Sequence, residues 1–370
     1  MNKANKSTIK KNKNAVVEVQ FNWIFILIAG ALILAFFIII ISKQKAVSDK
    51  KLSVDILNSI DQIMSGQKTS ENRQDVIDMF KTSMSYSCGG CDCAISLGGM
   101  SKSKGNVVLF APSEMRSDRL LTWTQSWDMP FRVTNFIYMT VPEIKYYFIV
   151  PSTSSALPES IKTEFISNLP VNLSYEIVDS ADSIQYKGEQ RIRLVFFSVL
   201  DFNGVVPANL QKVSDPAITA LVIDPVDSSK WPDGKAELNF YKKSKTDFVL
   251  DNDEEGISNS YPALGIQSAY GAVYSDSFQN FKCNMDDAVK RLNLVSGVYE
   301  ERSNILSEKA VSGEIFQGCS IYYSTGYFNG FDINEDDVSD TGKVFGLYSS
   351  ISMLSTWNDG AIINSCPRIY

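Results

Sequence analysis

The 370-residue sequence contains no histidine. Its absence removes the commonest general base, the usual relay partner of a serine or cysteine nucleophile, and the commonest metal ligand. Catalysis would have to run on Lys, Asp, Glu or Cys. The chain also lacks a P-loop and the glycine pattern that cradles dinucleotides, so no cofactor is implied. Basic charge is short as well: 35 Lys and Arg stand against 42 Asp and Glu, a net charge of −7. An acidic exterior argues against nucleic acid, whose binding rests on neutralised phosphates. No internal repeat or low-complexity linker marks a domain boundary.

What the sequence does have is one long apolar run. Residues 21–41 read FNWIFILIAGALILAFFIIII, with Asn22 the single amide side chain and no charge. As a helix, the run spans roughly 31 Å, the thickness of a bilayer's hydrocarbon core. It is too long for the apolar part of a cleaved signal peptide, and its Ile38-Ile39-Ile40-Ile41 end is a poor peptidase site. A retained anchor that contacts lipid through residues 21–41 is expected. Lys3, Lys6, Lys10, Lys11 and Lys13 precede it with Glu18 as the only acid, so residues 1–20 carry about +4 and the remainder about −11. The positive-inside rule places residues 1–20 in the cytoplasm as a basic tail and exports the chain beyond Ile41. Lys43, Lys45, Lys50 and Lys51 lie on the far side and weaken the asymmetry. Glu18 ahead of an apolar helix is also similar to the start of type IV pilin-like precursors, which implies a filament subunit; no Gly stands at the expected cleavage point.

Beyond the span, Leu52, Ile56, Ile60, Ile63 and Met64 recur with helical spacing, and a second short helix is expected over residues 76–84. Together these give a helical stalk over residues 42–85. Residues 86–370 are expected to form an extracytoplasmic domain of one or two subdomains. Strands are expected at residues 106–111, 119–125, 131–141 and 145–150, all rich in aromatic and β-branched side chains. A strand–helix alternation comes next, with strands at 171–178, 191–200 and 218–225 and a helix near 158–168. The clearest helix of this part covers residues 285–306, and another is expected near 346–357. The fold class is therefore α/β or α+β: a transmembrane helix, then a mixed-sheet domain with a long helix in its C-terminal half, stapled by disulfides.

All six cysteines lie beyond the span, which suits an oxidising compartment. The sharpest local signal is Cys88-Gly89-Gly90-Cys91-Asp92-Cys93. One reading joins Cys88, Cys91, Cys93 and Cys366 in two disulfides, with no bond between Cys91 and Cys93. A second gathers those four thiolates around zinc. A third makes Cys88 and Cys91 a redox CxxC pair, although no helix start is evident beside them. Cys283 and Cys319 bracket the long helix, and a disulfide between them would stabilise by roughly 3–4 kcal/mol in the chain-entropy treatment. Asp251, Asp253 and Glu255, and separately Asp332, Asn334 and Asp336, have the alternating oxygens of a calcium loop. Pro262 and Lys343 stand where its bidentate Glu belongs. Ser152, Ser154 and Ser155 read as a polar loop with capping hydroxyls. Asn172-Leu173-Ser174 is a glycosylation sequon.

Pieces of the anchor (Gln20 to Phe25 and Ile28 to Ala31), Cys283-Asn284-Met285 and Ser365-Cys366-Pro367 resemble single-span membrane proteins of small-genome (DPANN-type) archaea. The resemblance implies an anchored, exported domain and brings no activity with it. The function expected is that of an anchored binding or scaffold protein of the cell envelope with a protein partner. Thiol–disulfide exchange at Cys88 and Cys91, or a pilin-like subunit, are the alternatives.

Overall fold

The computed structural model describes residues 14–151, 164–188, 190–225, 236–251, 260–333 and 341–370. The chain divides into two compact units, Met1–Asp55 and Ile56–Tyr370. Within the first, helix α1 (Asn14–Gln67, which continues into the second unit) carries a stretch long and apolar enough to cross a membrane. Most of its large apolar side chains from Trp23 to Ile41 are exposed.

The second unit starts inside the same helix. Leu57, Ile60 and Met64, spaced to share one face, are buried in its core. The amide of Gln67 donates to Asp75 Oδ2 (3.0 Å) and Thr122 Oγ1 (2.6 Å), fixing the helix end to two strands. The expected stalk over 42–85 is thus corrected: its last three helical turns belong to the domain core. The expected helix over 76–84 is part of β1 (Gln74–Gly89), a strand. A register shift between Asp78 and Thr82 breaks the two-residue alternation that would have marked it.

Beyond β1, the first sheet comprises β2 (Asp92–Leu97), β3 (Met100–Ser103), β4 (Val108–Phe110), β5 (Glu114–Asp128) and β6 (Arg132–Thr140). Its order is β3-β2-β1-β5-β6-β4, antiparallel except for the parallel β4–β6 pair. The second sheet contains β7 (Ile144–Ile149), β8 (Tyr175–Val178), β9 (Arg191–Phe196), β10 (Ile218–Pro225), β11 (Ala236–Ser244) and β12 (Asp247–Leu250), with β13 (Ser260–Pro262) paired to β11. Its order is β12-β11-β10-β9-β7-β8, and β8, β7, β9 and β10 run parallel. Alternate residues of β9 bury on opposite faces, Ile192, Leu194 and Phe196 on one and Val195 on the other. That accounts for its unbroken apolar reading.

Among the described residues, the crossovers of the parallel part carry short 3-10 turns such as Ile166–Asn168 and Ala208–Leu210. Of the helix expected over 158–168, residues 158–163 lie outside the described residues. The architecture is α+β: α1 precedes the strands, and the other described helices follow them. Helix α2 (Ile266–Tyr274) touches β4, β5 and β6 of one sheet and β10 of the other. A Cβ on Gly271 would lie 2.9 Å from the Phe110 ring, so the close approach requires glycine there. Tyr270 and Tyr274 pack edge-on or tilted among Trp123, Tyr138 and Tyr146, joining both sheets in one aromatic core. Helix α3 (Phe278–Ser312) is longer than its expected 285–306 and ends on Gly313 in the left-handed conformation. Helix α4 (Thr341–Ile363) covers the expected 346–357. Its Val344, Leu347, Leu354 and Ala361 are buried on one face.

Candidate functional site

The two positions linking β1 to β2, Gly90 and Cys91, are both left-handed (φ 55° and 62°), as a tight hairpin turn requires. The turn sets Cys88 directly opposite Cys93, and the two are bonded with their Cα atoms 4.0 Å apart. Cys91, at the tip, is bonded to Cys283 near the start of α3, 192 residues away. Cys319 is bonded to Cys366. All six cysteines are thus in disulfides. The expected Cys283–Cys319 bridge is not formed, because Cys283 faces the hairpin. Cys88 and Cys91 belong to different disulfides, so they are not a CxxC dithiol. Cys366 lies with Cys319, so the four-thiolate zinc set of Cys88, Cys91, Cys93 and Cys366 is not assembled. Among the described residues no three His, Cys, Asp or Glu side chains gather to hold a metal ion.

Of the calcium-loop residues, Asp251 is buried. It accepts from the Phe278 backbone N–H (2.9 Å) at the start of α3 and pairs with Lys242 (2.6 Å). Asp253, Glu255, Asn334 and Asp336 lie outside the described residues, as do Ser152, Ser154 and Ser155. Asn172 is exposed in the turn ahead of β8, outside the strand expected to hold it.

A polar brace lies beside the hairpin. Asn280 accepts from the Cys88 N–H (3.0 Å) and donates to the Tyr86 carbonyl (3.1 Å), continuing the strand's hydrogen bonding with a side chain. One turn on, Asn284 accepts from Lys104 Nζ (2.7 Å) and the Leu109 N–H (3.0 Å), and donates to the Tyr86 hydroxyl and the Asn280 carbonyl (both 2.7 Å). Lys104, 4 % exposed, also pairs with Asp287 (2.7 Å). Burial pulls the Lys104 ammonium below the usual lysine range, and Asp287 opposes that. Burial likewise pushes the Tyr86 phenol up. Asn284 is fully satisfied, which suits a brace holding hairpin and helix in register.

Among the concavities formed by the described residues are three with polar side chains on their walls. At the carboxyl ends of the parallel strands, a pocket of about 160 Å³ is lined by Asp179, Ser180, Asp182, Asp201 and Asn203. The order β8-β7-β9-β10 puts a topological switch between β7 and β9, the place where doubly wound sheets receive ligands. Partial burial raises the Asp201 carboxyl above its usual range. At the opposite ends lies a polar cavity of about 780 Å³, with Gln185, Gln190, Asn209 and Lys212 on its walls.

The third concavity is a groove of about 750 Å³ between the turn after α1, the start of β6 and one face of α3. Lys68, Arg132, Lys290 and Arg291 line it. The guanidinium of Arg291 donates to Thr134 Oγ1 (2.7 Å) and to the Asn106 carbonyl, and burial lowers its pKa from the usual arginine value. Arg132 donates to Asn135 Oδ1 (3.0 Å) and pairs with Glu71 (2.7 Å). Sequence reasoning missed this set, since only Lys290 and Arg291 are neighbours in the chain. No protein-family model, curated protein or solved structure matches the chain.

Proposed function

We propose that this is a single-span, membrane-anchored binding or scaffold protein of the cell envelope. Its N-terminus is cytoplasmic, and its disulfide-stapled domain faces outward toward a protein partner. The observation that carries the reading is the pairing of all six cysteines, each in the unit that comes after the apolar helix. Such bonds form and persist in oxidising compartments. The exposed apolar face from Trp23 to Ile41 supports anchoring, and the lysines ahead of it support the orientation. The archaeal resemblance agrees with this topology.

The test uses intact cells making the full chain with an epitope tag at each end. External protease is expected to remove the C-terminal tag and spare the N-terminal one. Alkylation without reductant is expected to leave all six cysteines unlabelled. Protection of the C-terminal tag, or free thiols in freshly isolated protein, would refute the proposal.

A further inference from the structure

We propose that Lys104 and Asn284 join in an intramolecular amide cross-link, formed by the folded domain itself with loss of ammonia. This goes beyond the binding or scaffold reading and rests on no part of it. Lys104 follows β3, and Asn284 sits on α3, 180 residues away in the chain. Lys104 Nζ is 2.7 Å from Asn284 Oδ1. A carbonyl bond is about 1.23 Å long, so Nζ lies within about 3.9 Å of the amide carbon. Atoms held about 3–3.5 Å apart are poised to react, and rotation at the end of the lysine side chain covers the difference.

An amine attacks an unactivated amide only in a demanding setting, and the surroundings of this pair meet each demand. The amine must lose its proton. Burial already disfavours the Lys104 ammonium, and Asp287 Oδ2, 2.7 Å from Nζ, is placed to accept from it. The carbonyl must be polarised. The Leu109 backbone N–H donates to Asn284 Oδ1 at 3.0 Å and remains with that oxygen as it gains negative charge. The amide must be held still, and Asn284 Nδ2 donates to the Tyr86 hydroxyl and the Asn280 carbonyl, both at 2.7 Å. Water must be kept from the reacting atoms, and Lys104, Asn284, Leu109 and Tyr86 are all buried. Asp287 is partly exposed and lines the groove along α3, which gives the ammonia a way out.

The Lys104 ammonium gives one proton to Asp287. Nζ then bonds to Asn284 Cγ, and the carbonyl electron pair moves onto Oδ1 beside the Leu109 N–H. Asp287 passes its proton to Nδ2 and takes a second one from Nζ as the Cγ–Nδ2 bond breaks. The products are a secondary amide and ammonia, with the one remaining proton leaving as ammonium. Atoms and charge balance, and no oxidant, reductant or co-reactant is needed. The bond closes nearly the same loop as the Cys91–Cys283 disulfide, through the residue next to Cys283, and unlike that disulfide it survives reduction.

The experiment uses the full chain purified in an uncharged detergent, then reduced, alkylated and weighed by mass spectrometry. After correction for the substitution, it is expected to be about 17 Da lighter than the Lys104→Arg variant, the mass of one ammonia. Digestion is expected to release a branched peptide containing both Lys104 and Asn284. Asp287→Asn keeps both partners and removes the proton acceptor, so most of that chain is expected to stay uncross-linked. Melting curves check that both variants fold.

A wild-type chain at its full sequence mass would overturn the proposal, whatever the variants do. So would a loss of ammonia without the branched peptide, or a loss of about 18 Da with Lys104 joined to Asp287, the mass of one water. Undiminished cross-linking in Asp287→Asn would overturn the mechanism. Mass is blind to membrane orientation and to binding, so failure here leaves the proposed function standing.

Discussion

Arg193 is the most demanding single side chain in the domain. It is 2 % exposed, and its guanidinium donates to the carbonyls of Ala272 (2.9 Å) and Ser275 (2.7 Å), capping the C-terminal end of α2. Burial lowers its pKa to about 10, so it is a cation at neutral pH. Arg193→Ala removes the cap and opens a cavity, and is expected to cost about 3–5 kcal/mol in denaturant unfolding. Arg193→Met fills the cavity and spares the desolvation of a charge, so it should recover a substantial part of that loss. The buried phenols of Tyr86, Tyr138, Tyr146, Tyr270 and Tyr274 make the second prediction at this scale. Burial raises the pKa of each. Their contribution is complete below the unfolded value of about 10 and is lost as pH rises beyond it. There the unfolded chain releases protons that the folded one retains. Each costs about 1.4 kcal/mol per pH unit, and the five outnumber the three cations that burial pulls down, Lys104, Arg193 and Arg291. Tyrosinate absorbance should therefore show these five ionising only with unfolding; gradual ionisation of the intact fold would contradict their burial.

Among the elements, α1 spans two roles, and its last turns are the accessible test. Leu57→Ala or Met64→Ala is expected to destabilise the domain by about 2–5 kcal/mol, because both side chains are buried in its core. Leu52→Ala, at an exposed position of the same helix, should cost little. A stalk independent of the domain would show no difference between them. These turns also mark the limit of what could be read in advance. Apolar spacing at Ile56, Ile60 and Met64 announced a helix, but periodicity cannot say what the face packs against. The strand at residues 218–225 was legible to the residue, because ITALVIDP is apolar, β-branched and bounded by Pro225. β1 was not, because its bulge scrambles the alternation. The cysteine pairing was legible only as a tendency to be oxidised. Cys91 and Cys283 meet because a hairpin tip reaches a helix start from the other end of the chain, a contact that no local pattern encodes. The groove is hidden for the same reason, since Lys68, Arg132 and Arg291 come from three distant elements.

For the whole molecule, the long-range disulfides dominate the unfolded state. In the chain-entropy treatment, closing the 192-residue separation of Cys91 and Cys283 is worth about 5 kcal/mol, against about 2 kcal/mol for the five-residue separation of Cys88 and Cys93. In Lys104→Arg protein, where no amide closes the same loop, the double variant Cys91→Ser with Cys283→Ser should therefore lower the unfolding midpoint much further than Cys88→Ser with Cys93→Ser; equal effects would place the stabilisation in the native state. The same covalent pattern governs how the molecule responds to tension along its chain. The Cys91–Cys283 bond bypasses 192 residues and the Cys319–Cys366 bond 47. A force applied at the two ends then runs through sulfur and never loads either sheet beyond β1 and the turn of its hairpin. At about 3.5 Å per residue, the oxidised Lys104→Arg chain should lengthen by roughly 800 Å less than the reduced one before it goes taut. Tethered to a surface and pulled, it would act as a short leash with its sheets kept off the line of load.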